Sequence, residues 1–312
     1  MELRPEPRDA DGERADVSGS PAPATPPGRQ SPVPDHAEAG RLPPTLDPRH
    51  PLHGLGYSPA VLARPVVHVR EDAESTGEAP VAEEVPVAFV FNGRSRAVMM
   101  ATPADLEDFA IGFALAEGVV EHAAAIRHLQ VVRYGQGIEL QLTIPPEAET
   151  RLAARGLEGR GGCGVCGIES IREVLRPVRR IERRPAVERE ALWRAEAALH
   201  DLQSYHQATG AVHAAGWATP DGTLHVVRED VGRHNALDKV IGALARAGTD
   251  PRDGFLIVTS RASFEMVQKA TTVGVGLLAA VSRPTGLAIR LAEAAGLTLV
   301  GLLRGRTASY YT

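Results

Sequence analysis

From Ala211 to Leu303 the chain alternates short apolar or β-branched runs with stretches of helical periodicity, and that alternation narrows the fold more than any other feature. Strands are expected at Ala211–Ala218, Thr223–Arg228, Phe255–Thr259 and Leu297–Leu303. Helices are expected at Asn235–Ala247, Phe264–Val273 and Pro284–Ala295. Each helix can bury its apolar stripe only against a sheet, so the expected class is α/β, a layered sheet with helices on both faces. The turn Pro220-Asp221-Gly222 joins the first two strands as an antiparallel hairpin, which makes the sheet mixed.

The N-terminal half reads differently. Residues 1–58 hold half of the chain's 24 prolines among Asp, Glu, Arg, Gly and Ser, with no apolar periodicity, and are expected to form a disordered tail. Residues 59–150 are expected to form a smaller β-hairpin and helix subdomain, and residues 151–312 the α/β core. A short strand is read at Pro65–Val69. Val85–Phe91 runs into Asn92-Gly93 and out through Arg94–Met100, a hairpin signal because both turn positions need positive φ. Thr102-Pro103-Ala104-Asp105 reads as an N-cap, a first-turn proline and an acidic start for a helix ending near Gly118. A second hairpin is expected over Leu129–Arg133 and Ile138–Ile144, closed by Pro145-Pro146. Two further helices are expected at Ile168–Leu175 and Glu188–His206.

Two cysteines exclude a disulfide framework, and a formal charge of −5 argues against a nucleic-acid surface over the whole molecule. The first residues carry Arg4, Glu6 and Arg8 where a leader would begin, and the apolar stretch Phe255–Val281 contains Arg261, Glu265 and Lys269. The expectation is a cytoplasmic protein without membrane insertion.

Both cysteines fall in Gly161-Gly162-Cys163-Gly164-Val165-Cys166-Gly167. Four glycines around two thiols give a pliant backbone that can expose sulfur. Three chemistries compete. A zinc site lacks a second cysteine pair, and His200 and His206 stand six apart, beyond ordinary spacing. The zinc deaminase signature fails too, since Gly162 precedes Cys163 and no H-x-E tripeptide occurs. A thioredoxin-like exchanger wants a strand before the motif, whereas Arg155–Arg160 is charged and glycine-rich. Persulfide chemistry needs an ionisable exposed thiol, with Arg160 near in sequence, a mobile arm and a neighbouring thiol.

At this point the sequence resembles the formate dehydrogenase accessory sulfurtransferase family, FdhD, from about Ala63 to Arg306. The blocks that carry the resemblance are Asn92-Gly93 with Met99-Met100 and Thr102-Pro103; Ile111-Gly112-Phe113 with Glu117-Gly118; Cys163–Gly167; Glu229–Lys239; Thr259-Ser260-Arg261; Ser282-Arg283-Pro284-Thr285; and Gly296–Gly301. The resemblance implies a cytidine-deaminase-like core without the zinc chemistry, no permanent metal, and a homodimer. It also implies a sulfurtransferase that takes sulfur from a cysteine desulfurase and passes it to the bis-guanine-dinucleotide molybdenum cofactor, as bound substrate, for formate dehydrogenase. Cys163 takes the place of the persulfide-bearing cysteine and Cys166 that of the second thiol. Other readings are a non-catalytic chaperone for cofactor or formate dehydrogenase, and a thiol–disulfide oxidoreductase.

A ligand rich in phosphates and guanines needs backbone N–H groups and cations near helix starts. Val231-Gly232-Arg233-His234-Asn235 stands between a strand and a helix, so Arg233 and His234 are candidates, with Asp238 and Lys239 read as solvated charges. Ser260 and Arg261 follow one strand and Arg283 the next, at the crevice where open α/β sheets bind ligands. Leu302-Leu303-Arg304-Gly305-Arg306-Thr307 lies where the resemblance places part of the cofactor contact, departing at Leu302, where relatives often carry an aromatic ring. His213 is read as either a core histidine or a pocket group, and Trp193 and Trp217 as packing residues.

Overall fold

The computed structural model describes His50 and residues 52–153 and 178–312. The expected tail through residue 49, the segment bearing Cys163 and Cys166, and the helix expected at Ile168–Leu175 lie outside the described residues. Structure begins before Ser58, where the tail was expected to end. A 3₁₀ turn at Leu55–Tyr57 packs on the second hairpin: the Tyr57 hydroxyl donates to the Arg133 carbonyl at 2.8 Å and Arg133 donates to the Gly56 carbonyl at 2.7 Å.

Strand β1 (Val61–Arg70) pairs antiparallel with β2 (Ala73–Ala82) as a separate ribbon, in register from Val61↔Ala82 to Arg70↔Ala73. Only the middle of β1 was expected. Ala-Glu-Ser-Thr-Gly-Glu-Ala-Pro in β2 has neither alternation nor high β-propensity, so pairing with β1 overrides local preference.

Strands β3 (Val85–Phe91) and β4 (Arg94–Ala101) form the expected hairpin, with Asn92 and Gly93 at φ 48° and 78°. Helix α1 (Leu106–Ala116) follows, then β5 (His128–Tyr134), β6 (Gly137–Thr143) and α2 (Pro146–Ala153). The sheet order is β4-β3-β6-β5, with β3 and β6 parallel. Pro146 opens α2 rather than closing the unit, because proline's missing N–H is harmless at a first helical position. Phe89 holds the core together, stacked on Phe113 at 4.1 Å and edge-on to Phe109 at 4.9 Å between centroids. Helix α1 starts later than expected, after Asp105 at φ 53°, and Thr102 does not cap it. The Thr102 hydroxyl instead accepts from the Val231 N–H at 3.1 Å, tying this unit to the next.

Beyond the cysteine segment come α3 (Arg189–Asp201) and α4 (Ser204–Thr209), where one long helix was expected. Strands β7 (His213–Ala218) and β8 (Leu224–Asp230) lead to α5 (Arg233–Arg246). Then follow β9 (Phe255–Val258), α6 (Phe264–Thr272), β10 (Leu277–Ala280), α7 (Gly286–Ala295), β11 (Thr298–Arg304) and β12 (Thr307–Tyr310). Their sheet runs β12-β11-β10-β9-β7-β8, parallel across β9-β10-β11 and antiparallel elsewhere. Alternation along β9 sorts its two faces. Leu256 and Val258 pack with Leu237, Val240, Met266 and Ala292 of α5, α6 and α7. Phe255 and Ile257 pack with Leu192, Ala195 and Leu199 of α3. Helices therefore cover both faces of a mixed sheet.

The two sheets are joined through α1 and α5, which cross backbone to backbone. A side chain on Gly112 would run into the Asp238 carbonyl, and one on Gly242 into the Asp108 carbonyl. Around the crossing, buried Asp108 accepts from Arg228 at 2.7 and 2.8 Å and from Arg246 at 2.7 Å. We expect Gly242→Val to destabilise the fold by about 3 kcal/mol, since rigid backbone rather than a flexible side chain must give way. A urea midpoint unchanged from the parent would contradict that crossing.

Candidate cofactor cleft

One carboxylate organises the site. Asp230, at the end of β8, is fully buried and accepts from the Thr102 N–H at 3.0 Å, the Gly232 N–H at 2.7 Å, the Asn235 amide at 2.9 Å and the Lys239 ammonium at 2.7 Å. Lys239 is fully buried as well, and also donates to the Thr102 carbonyl at 3.0 Å. Asp238 faces Lys269 at 2.8 and 2.9 Å, and Lys269 reaches Glu117 at 3.0 Å. The two ammonium groups stand 5.7 and 5.6 Å from the ring centroids of Phe109 and Phe113. Asp238 and Lys239 are thus not the solvated charges that their sequence context suggested. They point inward because α5 is sandwiched between its own sheet and α1. Burial pushes the Asp238 carboxyl up to about 7, although Lys269 pulls the other way. The paired carboxylates of Asp238 and Glu117 hold Lys269 above the usual ammonium range against the effect of its own burial.

Glu229, on the opposite side of the strand, organises a second wall. Its carboxylate accepts from the Tyr205 and His206 N–H groups at 2.8 Å each and from the Ser204 hydroxyl at 3.3 Å, fixing the start of α4. The His206 ring is held by its Nδ1–H, which donates to the Val212 carbonyl at 3.0 Å.

Beside α4, at the C-terminal ends of β9, β10 and β11, opens a cavity of about 690 Å³. Its lining includes Glu196, Gln203, His206, His213, Thr259 and Arg304. The size suits a nucleotide-like ligand, and the location is the crevice at the strand ends where such sheets bind ligands. His213 opens β7 opposite Asp230. Burial, and then the neighbouring Arg233, His206 and His234, pull its pKa below the usual 6.5, so the ring is neutral at pH 7.

The other sequence candidates distribute around this edge. Arg233 begins α5, and its buried Nε has no hydrogen-bond partner among the described residues. His234 is buried beside Glu265 at 2.8 Å, so its ring is already engaged. The Ser260 hydroxyl donates to the Arg261 carbonyl at 3.0 Å, while Arg261 and Arg283 are exposed beyond β9 and β10. Leu303 is fully buried in the core beneath α3, and Leu302 adopts φ 52° at the bulge between β11 and β12. Arg304 enters the cleft, but past Gly305 the chain turns away. Arg306 lies 5.9 Å over the Trp193 ring and, with Thr307, borders a separate hollow of about 840 Å³. Gln203 and the anchoring role of Glu229 were not read from the sequence. A glutamine in a helix break carries no pattern, but two acids closing a strand before Val-Gly could have signalled buried anchors.

The class that fold and cleft define is a mixed α/β protein with a polar, histidine-lined crevice at its strand ends. Residues 82–312 match the model described as "FdhD/NarQ family". A sulfur carrier protein FdhD of Xanthomonas axonopodis pv. citri (strain 306) is 53% identical over 256 residues, covering 81% of this chain and 91% of the relative. Its namesake from Bordetella petrii is 50% identical over 234 residues, covering 74% and 84%. The crystal structure of a formate dehydrogenase accessory protein from Desulfotalea psychrophila superposes with a TM-score of 0.66 at 24% identity, over 81% of this chain and 97% of that one, a likeness of fold. The chain belongs to the FdhD/NarQ family.

Two outcomes are expected from this geometry. Lys239→Ala leaves Asp230 charged in the interior without its counter-ion and should cost about 3–5 kcal/mol. Equilibrium denaturation measures it, and a loss below about 1 kcal/mol would mean that water reaches the carboxylate. His213 should titrate below 6.5 in an NMR pH series. Since its folded value lies under the unfolded one, its contribution to stability is present above pH 6.5 and is lost as pH falls through the folded value. A titration at or above 6.5 would show an open, hydrated ring.

Proposed function

We propose that the protein is a cytoplasmic, homodimeric sulfur carrier that accepts sulfur from a cysteine desulfurase on Cys163 and passes it to the bis-guanine-dinucleotide molybdenum cofactor, for use by formate dehydrogenase. The observation that carries this reading is the polar cleft built at the strand ends, in a chain whose family relatives are named sulfur carrier proteins. The cleft combines a cation, Arg304, with neutral His213, and Arg233 opens α5 on the same sheet edge. Such a set is suited to phosphates and nucleobases. Among the described residues no helix is long and apolar enough to cross a membrane.

The sulfur step balances without an external oxidant. The Cys163 thiolate attacks the terminal sulfur of the donor's persulfide, an S–S bond forms as the donor's breaks, and the donor thiolate leaves. For release, Cys166 attacks the Cys163 sulfur and sulfide departs with the electron pair. The resulting disulfide then awaits a thiol reductant. Arg261, Arg283 and Arg304 are the exposed cations that would meet the cofactor's phosphates, with Ser260, Leu302 and Gly305 contributing backbone around them.

Intact mass spectrometry after incubation with a cysteine desulfurase and cysteine should show sulfur added to the parent protein. Cys163→Ala should lose that mass shift and should leave formate dehydrogenase inactive in a reconstituted maturation assay. Full formate dehydrogenase activity with the alanine variant would eliminate the carrier mechanism in favour of a chaperone.

A further inference from the structure

A second cavity, of about 700 Å³, lies at the N-terminal ends of β9 and β10, the end of the sheet away from the cleft. Its floor is apolar: Leu115 of α1, Val120 beyond it, Ile241 and Ala245 of α5 and Val273 after α6. Its rim is charged, with Arg179, Arg180, Arg183 and Arg252 set among Glu121, Glu182 and Asp250. Arg183 is paired with Asp253 at 2.6 Å and Arg252 with Asp250 at 2.7 Å. Arg179 and Arg180 are exposed, and among the described residues no ion pair or hydrogen bond engages them. The strap that presents them is fixed. The Ile181 N–H donates to the Ala295 carbonyl at 2.8 Å, and the Arg183 carbonyl lies where a side chain on Gly276 would stand.

Both ends of the segment that carries Cys163 and Cys166 join the described structure at this cavity. Ala153 ends α2, and just before it Arg151 donates to the Val119 carbonyl at 3.3 Å and pairs with Glu121 at 3.7 Å. Val178 follows the segment and leads directly into Arg179 and Arg180. The chain from Ala153 to Cys163 spans at most about 36 Å, which lets the thiol reach a protein seated over the cavity. An apolar floor inside a polar rim is the anatomy of a protein–protein contact, and arginines left without partners at such a rim select carboxylates on the other side. Nucleic acid fits poorly, since Glu121, Glu182, Asp250 and Asp253 stand among the arginines of a chain with net charge −5. We propose that this cavity and its arginine rim are the docking site for an acidic surface of the protein that donates sulfur. The assignment rests on the sulfur-carrier reading and adds where the donor sits.

The test follows sulfur loading of the full chain by intact mass with two donors, a cysteine desulfurase supplied with cysteine, and cysteine persulfide, a small molecule that has no surface to dock. From either, the Cys163 thiolate takes the terminal sulfur and the donor's thiolate leaves. Arg179→Glu/Arg180→Glu should load from the desulfurase roughly tenfold or more slowly at low salt, and from cysteine persulfide at the parental rate. Arg179→Lys/Arg180→Lys should stay near the parent with both donors, because charge is what these positions supply. Added salt should slow desulfurase loading of the parent more than that of the reversed pair. Thermal melts report the fold, and where the reversed pair melts early Arg179→Glu alone decides. Desulfurase loading of the reversed pair within about twofold of the parent would overturn the docking site while leaving the carrier reading intact. Equal slowing with both donors would overturn it too, because the arginines would then act on the thiol. A change of oligomeric state in analytical ultracentrifugation would give the cavity to a second copy of the chain instead. A parent that loads from neither donor would sink the carrier reading, and this assignment with it.

Discussion

A carboxylate can sit in a protein interior only when donors surround it, and Asp230 has four of them within 3.0 Å. Those donors come from three places: Thr102 after β4, the turn at Gly232, and Asn235 and Lys239 in α5. The charge therefore joins the smaller sheet to the larger one. Remove it and Asn235 and Lys239 in the first turns of α5 lose their shared acceptor. Its neighbour Glu229 points to the other side of the strand, as successive residues must, and clamps α4. Two adjacent acids thus do two jobs, one joining the sheets and the other fixing the α4 side of the cleft.

Much of this architecture was legible in the sequence because it rests on periodicity. The Asn92-Gly93 hairpin, the alternation of helices and strands after Ala211 and the antiparallel start of the sheet all follow from local pattern. The failures share one cause, long-range contact overriding local preference. Thr102 has the chemistry of a helix cap, but its hydroxyl and amide meet Val231 and Asp230 well over a hundred positions away, so α1 starts without it. Among the described strands, β2 pairs with β1 and no other. The break at Leu202–Gln203 follows from Glu229 capping a new helix, which no residue near the break announces.

The site was legible in outline and not in detail. Strand ends followed by Ser-Arg or Gly-Arg-His read as a ligand edge, and the structure does set them along one side of the sheet. Whether a charged side chain faces solvent or interior depends on what packs over it. Asp238 and Lys239 look like an ordinary exposed pair until α1 is laid across α5. Arg304 and Arg306 look equivalent until the β11–β12 turn sends one into the cleft and the other onto Trp193.

The glycine contact between α1 and α5 has a consequence for how the molecule comes apart. Two sheets with separate apolar cores would ordinarily be free to melt one after the other. Here the helices that cover them touch main chain to main chain at Gly112 and Gly242, with Asp108 bridged to Arg228 and Arg246 beside the contact. Neither core can loosen without parting that contact and stripping Asp108 of its arginines. The two halves should therefore share one cooperative opening, with amides in both exchanging at a common slow limit.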